Sequence, residues 1–263
     1  MSIGESFKIG KSLSSNTSDV TKSFEKLSSG KRINRASDDA AGLAIVNALE
    51  SDVRTSLQGA RNAVDGVSVA SIADGSLSQI SDITARQSEL ATQAANGTLT
   101  DTQRQSLNAE FQQLDQEKGR ILQTSTFNGV NVFSGETLQV GTDGSSSSQI
   151  NIPSVNTASL TGSLDISTAG AASSAIDALK TQSDSLGKVR GDIGASVSRL
   201  DIAENNARTK STESDAAAAR IRDLDVADET SKLTAATIRQ HTDVALSAQA
   251  GKLNADTVLK LLN

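Results

Sequence analysis

The stretch LGKVRGDIGASVSRLDIAENNARTKSTESDAAAARIRDL, residues 186–224, decides the architecture. Its positions Leu186, Val189, Ile193, Ser196, Leu200, Ala203, Ala207, Lys210, Ser214, Ala217, Ile221 and Leu224 alternate steps of three and four, and nine of these twelve are apolar. A seam of period 3.5 lets two helices wrap around each other along their length. Nearer the start, Val46, Leu49, Val53, Ser56, Ala60, Ala63, Val67 and Ala70 keep the same spacing, with seven of the eight apolar. Together the seams predict a mainly α fold: an elongated antiparallel helical bundle or coiled coil whose N- and C-terminal segments pair.

Composition points away from a compact enzyme. The 263 residues include five Phe, one Met and neither Trp nor Tyr, so large aromatics cannot carry the core. Apolar contact must come from Ala, Leu, Ile and Val along thin seams. A single proline, Pro153, leaves long helices uninterrupted. The formal charge of −6 disfavours nucleic acid, which needs a basic footprint. The lack of Cys excludes disulfides, thiolate catalysis and Cys zinc sites. Glu5, Lys8 and Lys11 interrupt the start of the chain, so no cleavable secretory signal is expected. Residues 144–164 carry no charge but are rich in Ser, Thr and Asn, which excludes a membrane span.

Residues 1–36 form a weak amphipathic pattern with apolar points at Ile3, Phe7, Leu13, Val20, Phe24 and Leu27. Ser37-Asp38-Asp39 offers a cap and acids for a helix that runs to Asn96-Gly97, a stop signal. Thr100 and Gln103 fit a capping box for a second helix with Leu107, Phe111, Leu114, Ile121 and Leu122 on its apolar side. After Asn128-Gly129 the period changes. Val130, Val132, Leu138, Val140, Ile150 and Ile152 alternate with polar residues, and Asp143-Gly144 marks a turn, so one or two short β-hairpins are expected within about 130–168. Residues 145–148 read as an exposed loop tip, and Ser173 or Ser174 as the cap of the next helix. The tail carries Leu233, Ile238, Val244, Leu246, Leu253, Val258, Leu259 and Leu262 on several faces. Such a helix needs more than one neighbour. The first 36 residues offer one, and other copies of the chain would supply the rest.

No constellation points to catalysis. The single histidine, His241, reads as a helix-face residue. Asp38 and Asp39 are adjacent, so on a helix they converge poorly on a metal, and capping is the better reading. Gly30-Lys31 lacks the upstream Gly and following Ser or Thr of a phosphate loop. A serine hydrolase lacks a His partner in any workable arrangement. No cofactor is implied. Gly59, Gly66 and Gly75 each cost a helix roughly 1 kcal/mol against Ala. Either close approach of another segment offsets this, or the glycines are neutral drift.

Specific strings then identify a resemblance. Leu27-Ser28-Ser29-Gly30-Lys31-Arg32-Ile33-Asn34, with Ala36-Ser37-Asp38-Asp39-Ala40-Ala41-Gly42-Leu43-Ala44-Ile45, resembles the N-terminal signature of bacterial flagellin. So does Gly59-Ala60-Arg61-Asn62-Ala63-Val64-Asp65-Gly66. Thr126-Phe127-Asn128-Gly129-Val130-Asn131-Val132 is similar to the segment before that family's hairpins. Arg220-Ile221-Arg222-Asp223-Leu224-Asp225-Val226-Ala227, Ala248-Gln249-Ala250 and Val258-Leu259-Lys260-Leu261-Leu262 resemble its C-terminal pattern. The resemblance covers residues 24–133 and 180–263. The chain departs from the pattern in its first 20 residues, at Thr84 and Ser88, and at Ala255, where Pro is common.

The resemblance implies an extracellular subunit that polymerises with its own copies into the helical flagellar filament for swimming motility. The alternative is a hook–filament junction protein. It implies secretion without a cleavable signal through the flagellar type III export apparatus, with an export chaperone, the filament cap and hook-associated proteins as partners, and no nucleic acid or membrane insertion. It further implies that 1–36 with 227–263 form an inner coiled-coil layer and 37–226 a helical-bundle layer, without a variable outer domain. Phe24, Leu27, Leu233, Ile238, Val244, Leu253, Val258 and Leu262 would then serve assembly. Gly30, Lys31, Arg32 and Arg35 lie in the turn that joins the layers, where the cations either make inter-subunit ion pairs or remain solvated. Arg86, Glu89, Leu90, Gln93 and Glu110 match a surface read by Toll-like receptor 5, or packed against a neighbouring subunit.

Overall fold

The structure, a computed structural model, describes the backbone of residues 3–142 and 145–262 and the side chains of 8–142 and 145–252. The expected Asp143-Gly144 turn and the side chains of Ile3, Phe7, Leu253, Val258, Leu259 and Leu262 lie outside the described residues. Five α-helices dominate: α1 (Ile3–Ser29), α2 (Ala40–Ala94), α3 (Asp101–Thr124), α4 (Ala169–Arg222) and α5 (Val226–Leu262). Four short strands lie between α3 and α4: β1 (Thr126–Phe127), β2 (Val130–Asn131), β3 (Glu136–Gln139) and β4 (Gln149–Ile152). The chain divides into two compact units, Met1–Ser51 with Glu213–Asn263, and Asp52–Thr212.

The helix starts follow local chemistry. Asp39 accepts the Gly42 amide at 2.8 Å and caps α2. Thr100 and Gln103 complete the expected capping box, each side chain accepting the other's backbone amide at 3.3 and 2.9 Å. The start of α4 corrects the expectation: Thr168, not Ser173 or Ser174, caps it, accepting the Ala171 amide at 3.1 Å. Ser173 and Ser174 instead donate back to the carbonyls of Ala169 and Gly170 inside the helix.

In the central unit both hairpins are antiparallel. Asn128 and Gly129 have φ of 51° and 81°, which makes the two-residue β1–β2 connection a turn requiring the left-handed region twice. β3 pairs with β4 in the register Glu136↔Ile152 and Leu138↔Ile150. One core gathers Leu77, Ile80, Ile121, Ile152, Leu186, Ile193 and Leu200 from three helices and the second hairpin. A smaller core holds Leu90, Phe111, Ile166 and Leu179. Gly59 and Gly66 are where α2 meets the second hairpin. A Cβ at Gly59 would overlap the Val140 carbonyl, and one at Gly66 would overlap Leu138. A Cβ at Gly75 would meet nothing within 4 Å, so close approach does not account for that residue.

The α4 seam holds from Leu186 to Ala207 and then slips. Lys210 is exposed and donates to Thr142 at 3.0 Å, while Ser211 is buried. A straight helix drifts by about 20° per heptad against a strict 3.5 repeat, so after three heptads the inward position passes to the next residue.

In the terminal unit α1 packs along α5. Ser23 donates to the Glu229 carboxylate at 2.7 Å, and both residues are buried. Asn16 donates to Asp243 at 2.6 Å, and Gln240 to Thr17 at 3.1 Å. Ile33 and Val46 form a small buried centre beside the turn after α1.

Candidate assembly surface

The paired terminal helices bury small residues and leave large ones outside. Ser23, Ala236 and Ala250 are buried, whereas Phe24 is 58 % exposed and Ile238 62 % exposed. Val244 and Leu246 are exposed as well. Leu27 and Leu233 are half-buried. His241 is an exposed helix-face residue. Val244 and Leu246 point about 200° apart on α5, so the exposed apolar side chains of this helix pair lie on more than one face, as a helix with several neighbours requires.

The turn after α1 is anchored within the chain. Gly30 takes φ +67°, a conformation at a helix C-terminus that favours glycine, and its carbonyl accepts the Leu224 amide at 3.1 Å. The Arg32 amide donates to the Arg222 carbonyl at 2.6 Å, and the backbones of Lys31 and Asp223 form an isolated antiparallel bridge. The Arg32 guanidinium donates to the Ile221 carbonyl at 2.7 Å, and Arg35 pairs with Glu25 at 2.8 Å. Arg32 and Arg35 are thus already engaged in the single chain. Asp38 organises the same turn. It accepts the Arg35 and Asn34 amides, and these bonds, Arg35 first, hold its pKa below the usual carboxylate range. Arg222, from the end of α4, bonds Glu50 at 2.6 Å.

Arg86 on α2 ties two acids together. It donates to Glu89 at 2.9 Å and to Glu110 on α3 at 2.9 Å. The Glu89 bond, then the Glu110 bond, raise its pKa further. Arg86, Glu89 and Gln93 are exposed and Glu110 is half-exposed. Leu90 departs from the expected surface set. It is 1 % exposed and packs in the smaller core with Phe111, so it supports this face from beneath.

Sequence reading missed three polar anchors. Arg104 is buried, and donates to the Ala94 and Asn96 carbonyls, each at 2.9 Å, closing the C-terminal end of α2. Lys118 is fully buried, donates to Gln182 at 3.2 Å and faces Asp115 at 3.3 Å. Burial pushes the Lys118 pKa down, and Asp115 opposes this in part. Arg190 and Asp74 pair at 2.7 Å between α4 and α2. Only Arg104 carries a local signal, because it follows the capping box and reaches back over the preceding turn. Among the described residues no group of acids and His could hold a metal ion, and no helix is long and apolar enough to cross a membrane.

The model of the bacterial flagellin N-terminal helical region matches residues 4–137, and that of the bacterial flagellin C-terminal helical region matches residues 173–262. A flagellin of Halalkalibacterium halodurans is 37 % identical over 248 residues, covering 92 % of this chain and 91 % of the relative. The flagellar filament 30.7 kDa core protein of Treponema maltophilum is 34 % identical over 268 residues, covering 94 % of each. The crystal structure of Bacillus cereus flagellin is similar to this fold with a TM-score of 0.51 and 32 % identity, across 56 % of this chain and 88 % of that one.

Proposed function

The chain belongs to the bacterial flagellin family, and on that premise we propose that its terminal helix pair is the surface through which copies stack. The protein is a structural subunit of the extracellular flagellar filament, not an enzyme. No relative named above is a hook-junction protein, and the relatives carry the names flagellin and filament core protein. The observation that supports the assembly reading is the outward position of Phe24, Ile238, Val244 and Leu246. Head-to-tail contact between different patches propagates a helix of copies when its rotation does not close into a ring. Burial of apolar surface drives that association at about 25 cal/mol per Å².

In this reading residues 1–36 and 227–263 form the inner layer of the filament, and residues 37–226 form the layer around it. The turn at Gly30, Lys31, Arg32 and Arg35 joins the two. Export through the flagellar type III apparatus, an export chaperone, the filament cap and hook-associated proteins are the partners that the family implies. The Arg86–Glu89–Glu110 cluster, with Gln93, is the patch that Toll-like receptor 5 would read on a monomer, and Arg86→Ala should lower receptor signalling. The assembly reading is tested by salting-out the purified chain and imaging it by electron microscopy. The full chain should form long polymers. Chains lacking residues 1–30 or 230–263 should stay folded and unpolymerised, and normal filaments from either truncation would defeat the reading.

A further inference from the structure

An apolar slot in the central unit lies between α2 and the hairpins. Val69, Phe127, Val132 and Leu138 line it, and its volume is 180 Å³. A cavity of about 150 Å³ with apolar walls accepts a benzene-sized group, so this one suits a single branched side chain. Two carboxylates, Asp65 and Glu136, are among its lining residues. Glu136 accepts only a 3.5 Å hydrogen bond from Ser134, and neither acid has a cationic partner among the described residues. The complementary feature is therefore an exposed aliphatic side chain with an uncommitted cation beside it.

The same unit presents one such pair. Ile202 on α4 is 62 % exposed. Arg199 lies three residues before it, about 60° away around the helix, and is exposed with no ion-pair or hydrogen-bond partner among the described residues. The other exposed aliphatics of this unit fit less well: Leu57 is 37 % exposed, but neither cation within one turn of it, Arg54 or Arg61, is uncommitted. Val130 borders the slot itself, and Ile72 has an acid, Asp74, and no cation within one turn. Near Val64, Arg61 is already bonded to Gln58. Position on α4 also matters. Leu200 faces α2, where a Cβ on Gly66 would lie 3.1 Å from its methyl. Ile202, two residues on, points about 200° away around the helix. It cannot enter the slot of its own chain.

We propose that the slot between α2 and the hairpins receives Ile202 of a second copy, with Arg199 of that copy set against Asp65 and Glu136. This contact rests on the filament reading and deepens it: knob and slot are different patches on one chain, so the contact can pass from copy to copy along a filament. It also places an inter-subunit contact in the central unit, separate from the terminal helices.

The test is seeded elongation of the full chain, read as the critical concentration, with thermal melting of each monomer as a control. Ile202→Asp should raise the critical concentration at least about tenfold and leave melting unchanged. Asp65→Lys and Arg199→Glu should each raise it several-fold, and the double charge swap should return to within about twofold of wild type. Unaltered elongation of Ile202→Asp, or a double swap no better than the worse single, would overturn the contact. Loss of cooperative melting in Ile202→Asp would overturn it too, because the residue would then serve the monomer. Failure of wild type to elongate on seeds would instead remove the filament reading on which the contact depends.

Discussion

Truncating Ile238 to Ala separates the needs of the filament from those of the monomer, because the two respond with opposite signs. Ile238 is 62 % exposed on α5. Full burial of an isoleucine side chain contributes about 2.5 kcal/mol, so covering the remaining six-tenths would contribute about 1.5 kcal/mol. Alanine keeps only the first carbon, so about 1.2 kcal/mol of that is lost, equivalent to roughly an eightfold rise in critical concentration. In the monomer the same change removes little contact and replaces a β-branched residue by the best helix former, a gain of a few tenths of a kcal/mol. Pelleting assays across a concentration series on preformed seeds measure the first effect, and thermal melting of the monomer at high dilution measures the second. The expected pair of results is weaker elongation with an equal or higher melting temperature. An unchanged critical concentration would show that neighbours do not cover this face, and the assembly reading would lose its main support.

Three further outcomes follow from the central unit. Gly59→Ala forces a methyl into the Val140 carbonyl and should cost about 1–3 kcal/mol in urea unfolding, whereas Gly75→Ala, with open space at its Cβ, should gain roughly 1 kcal/mol. Arg104→Ala removes two charge-assisted bonds to the end of α2 and should cost about 2–4 kcal/mol by the same measurement; Arg104→Lys should recover less than half, since one ammonium cannot reproduce the planar fork. The buried Lys118 has a folded-state pKa below its unfolded value, so in the window between the two the unfolded chain binds more protons and stability rises with pH. The penalty for the charged form is fully present below the folded pKa and is relieved as pH climbs through it towards the usual lysine range. Lys118→Met should therefore be equal to or more stable than wild type at neutral pH, with that advantage shrinking in alkaline buffer. A constant difference across pH would remove the burial argument.

What could be read from the sequence was local. The α2 seam, the α4 seam as far as Ala207, the Thr100–Gln103 box and the Asn128-Gly129 turn depend on residues a few positions apart, and they are present in the fold. Asp39 was legible as a cap for the same reason. The errors mark where local reasoning ends. Lys210 stands outside because a 3.6-residue helix cannot hold a 3.5 seam indefinitely. Leu90 sits in the core because Phe111 approaches it from a different helix, which no spacing within α2 reveals. Gly59 and Gly66 have the same sequence signature as Gly75, yet only the first two meet a hairpin. A lysine is expected at the surface on composition alone, and only the fold sets buried Lys118 against Gln182 on α4.

The two units build their interiors from different residues, and this difference carries the functional argument further than either surface alone. In the central unit large aliphatics such as Leu77, Ile80, Leu186, Ile193 and Leu200 point inward and form the core, while Ile202 remains outside. Along the terminal helices the inward positions go to Ser23, Glu229, Ala236 and Ala250, while Phe24, Ile238, Val244 and Leu246 face out. The buried hydroxyl–carboxylate bond penalises any register of α1 on α5 that leaves Glu229 without its donor from α1. Polar matching thus contributes to the register of the pair, and Phe24, Ile238, Val244 and Leu246 stay available to neighbours. A helix pair that buried Phe24 and Ile238 internally would be more stable alone and would have less to offer a second copy. The central core can hold each subunit together while the terminal pair keeps its apolar surface for the polymer.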